Sequence, residues 1–179
     1  VPLAVLAARP PAEGAIRFAP GLPRKREAAR RLSTGAVVKL ALRFRSPFWR
    51  RAQVRHRAEG RLPRFSYVHV PGRPFPTWWT PRPFDVPVLV GWAGGGIAER
   101  LSRLDERTWL DLALHTLSCA FGLRAEELEM RLEGWHARNW QTDPYARGGY
   151  AVFPPGGLEA QALLAQPEAG RLFFAGEAT

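Results

Sequence analysis

The chain has 179 residues, 46% of them hydrophobic and 11% aromatic, which is enough to bury a domain core and excludes a disordered segment. The formal charge is +10, but the basic residues are nearly all Arg and scatter from Arg9 to Arg171, so the charge does not by itself define a nucleic-acid face. No run approaches the ~18 apolar residues of a membrane helix, and the single Cys119 excludes an internal disulfide or a multi-cysteine metal site.

Val1–Leu6 reads as a strand; it lacks an initial Met, a basic lead and a cleavage site, so it does not read as a signal peptide. The Pro- and Gly-rich stretch Arg9–Pro23 is a connection. Arg24–Leu32 follows Pro23, has helical composition and ends before Gly35. Ala36–Phe44 alternates with a period of two, with Val38, Leu40, Leu42 and Phe44 on one face and Val37, Lys39, Ala41 and Arg43 on the other. Ser46-Pro-Phe-Trp49 ends that strand, and Arg50–Arg64 is polar and expected to be exposed.

Phe65–Val70 and Val86–Trp92 are predicted strands on either side of a loop, Pro71–Pro87, dense in Pro and aromatics. Gly94-Gly-Gly96 turns the chain into a helix, Ile97–Leu104. A second helix, Glu106–Phe121, carries Trp109, Leu112, Leu117 and Phe121 and stops at Gly122. Cys119 falls on its apolar face as a small, inert residue. Leu132–Trp140 is a predicted strand, followed by a loop through Asp143-Pro144 to Gly148-Gly149 and an extended segment, Tyr150–Phe153. A short helix, Leu158–Leu164, precedes a last strand, Arg171–Ala175. That strand runs straight into Gly176-Glu177, so both ends are expected to be cuts through a larger fold. Strands interrupted by helices, without a βαβ rhythm, predict an α+β fold: a mixed β-sheet flanked by helices.

Several common sites are missing. Gly94-Gly-Gly96 lacks the third glycine of a dinucleotide turn, and there is no Gly-x-Ser-x-Gly. His56, His69, His115 and His136 show no ligand spacing, and Glu126-Glu127 read as solvated. Composition and spacing alone stop at a mixed α/β domain.

Three stretches say more. Gly35-Ala-Val-Val-Lys-Leu-Ala-Leu-Arg-Phe44 with Ser46-Pro-Phe-Trp49 resembles the lysine-bearing strand of flavin amine oxidases. Asn139-Trp-Gln-Thr-Asp-Pro-Tyr-Ala-Arg-Gly-Gly-Tyr150, running on to Pro154-Pro155-Gly156, is similar to their Trp-to-Tyr loop. Gly170-Arg-Leu-Phe-Phe-Ala-Gly-Glu-Ala-Thr179 resembles their strand returning to the FAD domain. Val1–Leu6 and Pro87–Gly95 also fit, in the same order. Monoamine oxidases, polyamine oxidases and lysine-specific histone demethylases share this layout, and bacterial amine oxidases resemble it most.

The resemblance implies the substrate domain of a glutathione-reductase-type FAD oxidase, with an incomplete FAD domain. Residues 1–169 would form the substrate-binding domain with its flavin-facing loops, and 170–179 the start of the segment returning to the FAD-binding half. That half is supplied by the rest of the polypeptide, without which the chain is expected to be inactive. The implied reaction is oxidation of a small-molecule amine to an imine by hydride transfer to flavin N5, with O2 reoxidising the flavin to give H2O2. No nucleic-acid or membrane partner is expected, and the location is expected to be cytoplasmic.

Lys39 matches the lysine that reaches flavin N5 through water, where a compact ammonium assists oxygen reduction; the plainer reading is a strand lysine extending to solvent. Trp140 and Tyr150 match aromatics beside the flavin, Tyr150 as one wall of an amine-guiding cage; the plainer reading of both is core packing. Gly149 stands where monoamine oxidases carry the cysteine that links to FAD, so the flavin is expected to be non-covalent. Glu177 matches the family glutamate near the ribityl and pyrophosphate groups, with Gly176 allowing close backbone approach; otherwise Glu177 is a surface acid. Arg147 would order the loop or contact substrate. The Pro71–Pro87 loop would line the entry or pack as a cluster. Two other functions stay open: a related flavoprotein oxidase or desaturase acting on a non-amine substrate, and a basic nucleic-acid-binding module. Lys39, Trp140 and Tyr150 together favour amines.

Overall fold

The computed structural model describes residues 1–50 and 66–179. The polar stretch 51–64 and the first residue of the predicted strand Phe65–Val70 lie outside them. In chain order the elements are α1 (Leu3–Ala7), α2 (Pro23–Arg30), β1 (Ser33–Gly35), β2 (Val37–Phe44), a 3-10 turn (Phe48–Arg50) and β3 (Tyr67–His69). They continue with β4 (Thr77–Trp79), β5 (Val88–Gly94), α3 (Gly95–Leu101), α4 (Glu106–Phe121), α5 (Ala125–Arg131), β6 (Leu132–Asn139), β7 (Tyr150–Val152) and α6 (Gly157–Ala165). They form two compact units, one of Val1–Val37 with Asn139–Thr179 and the other of Val38–Arg138.

In the unit Val38–Arg138, a five-stranded sheet has the order β3-β4-β5-β2-β6, with β3, β4 and β5 antiparallel in turn. The period-two pattern of β2 decides its facing. Val38, Leu40, Leu42 and Phe44 are all fully buried, whereas Lys39 and Arg43 are exposed on the open face. Each such side chain contributes roughly 1.5–3 kcal/mol by leaving water. Past the strand, Phe48 packs edge-on against Phe44 (5.0 Å between centroids) and Phe121 of α4 (5.5 Å), tying that helix to the sheet.

Helix α4 has the predicted bounds. Asp105 caps its start by accepting from the Thr108 N–H (2.8 Å) and hydroxyl (2.8 Å), and Gly122 ends it in the left-handed region at φ 69°. Cys119 on this helix is half-buried. Strand β4 is a correction to the expected loop Pro71–Pro87. Trp78 is fully buried, its indole N–H donates to the Phe75 carbonyl (2.8 Å), and its ring occupies the space beside Gly91 that a Cβ there would fill. Helix α5 is a second addition, because Leu128 is fully buried while Glu126 stays in solvent, so one anchoring residue holds a mostly polar turn.

In the other unit the core is helical: Leu3 and Leu6 of α1, Ala28 and Ala29 of α2, Leu32, and Ala160 and Leu164 of α6. The predicted strand Val1–Leu6 is therefore corrected to a helix. Leu3 and Leu6 lie one turn apart and bury together against small alanines, an arrangement that strand alternation would break. Lys25 of α2 is buried, and its ammonium donates to the carbonyls of Leu163 (2.7 Å), Leu164 (2.8 Å) and Gln166 at the end of α6. Burial lowers its pKa, opposed by Glu168. The predicted last strand, Arg171–Ala175, is also corrected: it makes one bridge, Glu168 with Leu172. Phe174 is held by side-chain contact with Phe18 instead of by a ladder.

Candidate functional site

The sequence-predicted site residues divide between the two units. Lys39 belongs to Val38–Arg138 and stands on the open face of β2, between the buried Val38 and Leu40. Its Nζ lies 5.3 Å from the centroid of the Trp79 ring. Trp79 in turn stacks on Tyr67, its register partner on β3, at 5.8 Å and 30° between planes.

Trp140, Gly149, Tyr150, Gly176 and Glu177 all belong to the other unit. The loop between Trp140 and Tyr150 closes on itself and on β1. The Trp140 N–H donates to the Val37 carbonyl (3.1 Å), and Gly148 N–H donates to the Trp140 carbonyl (2.8 Å). Gly149 N–H then reaches the Gly35 carbonyl (2.9 Å). Asp143 nucleates the turn through Tyr145 N–H (2.9 Å) on its carboxylate and Arg147 N–H (2.8 Å) on its carbonyl. Arg147, at φ 58°, donates from its guanidinium to the Pro144 and Glu13 carbonyls. Of the two roles expected for it, ordering the loop is the one these contacts perform.

The loop delivers Tyr150 into β7, directly opposite Gly35 of β1. A Cβ at Gly35 would overlap the Tyr150 ring, so the glycine makes room for the aromatic. Tyr150 and Trp140 remain half-buried, while Gly149 is exposed. The next residue, Ala151, donates its N–H to Glu177 Oε1 (2.7 Å), joining the C-terminal segment to the tyrosine strand. Glu177 and Gly176 are otherwise exposed, and Gly176 N–H donates to the Thr179 hydroxyl (3.0 Å).

Two further residues, Gln141 and Trp79, stand out once their surroundings are seen. Gln141 is fixed by the Val37 N–H donating to its Oε1 (2.8 Å), which leaves its Nε2 buried and without an acceptor among the described residues. Trp79 belongs to the Pro71–Pro87 loop expected to line the entry or pack as an aromatic cluster; strand pairing sets it apart from its fully buried neighbour Trp78.

The sequence pattern of flavin containing amine oxidoreductases matches residues 1–179. Lysine-specific histone demethylase 1 homolog 1 of Oryza sativa subsp. japonica is 30% identical over 100% of this chain and 20% of its own length. Amine oxidase [flavin-containing] B of Cavia porcellus is 27% identical over 98% of the chain and 32% of its own, and L-amino-acid oxidase of Mus musculus 31% over 98% and 26%. The chain thus spans about a fifth to a third of the length of these relatives. Among solved structures, a putrescine oxidase from a redesign of cofactor binding superposes with a TM-score of 0.67 at 21% identity. The match covers 93% of this chain and 34% of that one, a likeness of fold. The fold is mixed α/β with antiparallel sheets, and the chain belongs to the flavin-containing amine oxidoreductase family, whose cofactor is FAD.

Proposed function

We propose that this chain supplies the substrate-facing part of an FAD-dependent oxidase that converts an amine, or the amino group of an amino acid, to an imine. The observation that carries the reading is the tie between Tyr150's strand and Glu177. One hydrogen bond, Ala151 N–H to Glu177 Oε1 (2.7 Å), joins two segments that the resemblance assigns separately to the flavin. Residues 1–169 act as the substrate domain and 170–179 begin the return to an FAD-binding half carried elsewhere in the polypeptide.

The residues fit the cofactor chemically. Glu177 already uses one oxygen on a backbone N–H, so its exposed carboxylate can also accept from a sugar hydroxyl, and Gly149 and Gly176 present accessible backbone. The orphaned Gln141 Nε2 is a donor in want of an acceptor. A side chain at Gly149 would overlap Val37 Cγ2, which supports non-covalent binding here. When bound, the flavin supplies the hydride acceptor that turns H–C–N–H into C=N, and O2 takes up the electrons to leave as H2O2. Tyr150 guides the amine by its ring face and helps exclude water, Trp140 packs beside the cofactor, and Lys39 places a compact positive charge where oxygen is reduced.

The test is anaerobic mixing of the flavin-loaded full-length polypeptide, its FAD-binding half included, with a panel of amines and amino acids at several pH values. The reacting amine must be neutral, because an ammonium has no lone pair to support hydride loss. Flavin bleaching should therefore accelerate as pH rises toward the substrate pKa, and Tyr150→Ala should slow bleaching more than it lowers flavin content. Bleaching by no amine or amino acid, or a flat profile across the substrate pKa, would refute the reading.

A further inference from the structure

We infer that Trp79 is the positioning residue for Lys39, its ring holding the ammonium at one place on the open face of the sheet. The inference rests on the role proposed above for Lys39. An exposed strand lysine ordinarily extends into water and samples many rotamers, at a cost when it must be ordered. Lys39 is not arranged that way. It stands on β2 and Trp79 on β4, with β5 between them, so the two backbones are about 10 Å apart at ~4.8 Å per strand. To bring Nζ within 5.3 Å of the ring centroid, the side chain leans across the intervening strand instead of outward.

On the intervening strand, Val90 is the register partner of Trp79 and shares its face. It lies on the open face and is nonetheless only 8% exposed. The ring is itself braced, because Tyr67 stacks on it from β3. Among aromatic side chains the indole face attracts a cation most strongly, and the attraction persists at half-exposed positions. An ordered ammonium then meets the reacting region already in place, so its ordering is not repeated in each turnover.

The experiment compares Trp79→Phe, Trp79→Leu and Lys39→Met in the flavin-loaded protein by two measurements. The first is the proton NMR shift of the Lys39 ε-methylene, assigned by its loss in Lys39→Met; protons over a ring face resonate upfield. The second is the rate of flavin reoxidation by O2 after anaerobic reduction. Trp79→Leu should abolish the upfield shift and slow reoxidation by about 2- to 30-fold, with KM for the amine little changed and Trp79→Phe intermediate on both measures. An unshifted ε-methylene in the unsubstituted protein, or wild-type reoxidation in Trp79→Leu while Lys39→Met is slow, would overturn the role of Trp79 alone. Wild-type reoxidation in Lys39→Met would overturn the proposed role of Lys39, and the positioning inference with it.

Discussion

Replacing Gly35 by Ala should destabilise the protein through the Tyr150 ring, which supplies the nearest atoms to the added methyl. Gly35 and Tyr150 face each other across β1 and β7, and an added Cβ would fall on ring carbons Cδ2, Cε2 and Cζ. The ring is half-buried and its strand is tied to Glu177, so it cannot simply swing away. Overpacking of this kind costs about 1–3 kcal/mol. Tyr150→Ala alone loses the burial of a half-covered ring, less than the ~3–5 kcal/mol of a fully buried aromatic. In the double variant the new methyl enters vacated space, so the steric part of the Gly35→Ala cost should return as a coupling of about 1–3 kcal/mol. Denaturant unfolding of the four proteins measures the cycle. Gly35→Ala should also raise KM for the amine by displacing the cage wall. Additive free energies, within about 0.5 kcal/mol, would show that the ring does not rest on the glycine.

Lys25→Met should cost about 2–3 kcal/mol, because it leaves the buried Leu164 carbonyl without its donor; an unchanged unfolding midpoint would contradict the clamp on α6. Gly149→Cys should fold poorly, since its side chain meets Val37 Cγ2, and Val37→Ala should restore thermal stability in the combined variant. The Asp105 carboxyl titrates below the usual aspartate value because the Thr108 N–H and hydroxyl donate to it. A depressed folded pKa stabilises above the unfolded value and is lost as pH falls through the folded one. The melting-temperature gap between wild type and Asp105→Asn should therefore be full above the ordinary aspartate range and close under stronger acid; a gap independent of pH would exclude the cap as its source.

Local pattern carried much of this protein. The alternation of β2 placed Val38, Leu40, Leu42 and Phe44 inside and Lys39 outside, and Gly122 ended α4 where a left-handed residue was needed. The order of motifs from Lys39 through Trp140 and Tyr150 to Glu177 sufficed to suggest the family, because each is a short run with little freedom of spacing. These features depend on neighbours in the chain, so a linear reading reaches them.

Tertiary structure decided what depends on partners far away in sequence. Val1–Leu6 is apolar enough for a strand, and became helical because α2 and α6 offer alanines against which Leu3 and Leu6 pack. Thr77–Trp79 became a strand only because β3 and β5 lie on either side of it. Arg171–Ala175, equally strand-like in composition, forms only a bridge, because hydrogen-bonding edges are supplied by tertiary neighbours and composition does not provide them. The placement of the Lys39 ammonium over Trp79 has the same origin: a ring two strands away in the sheet is 40 residues away in the chain, and no periodicity links the two.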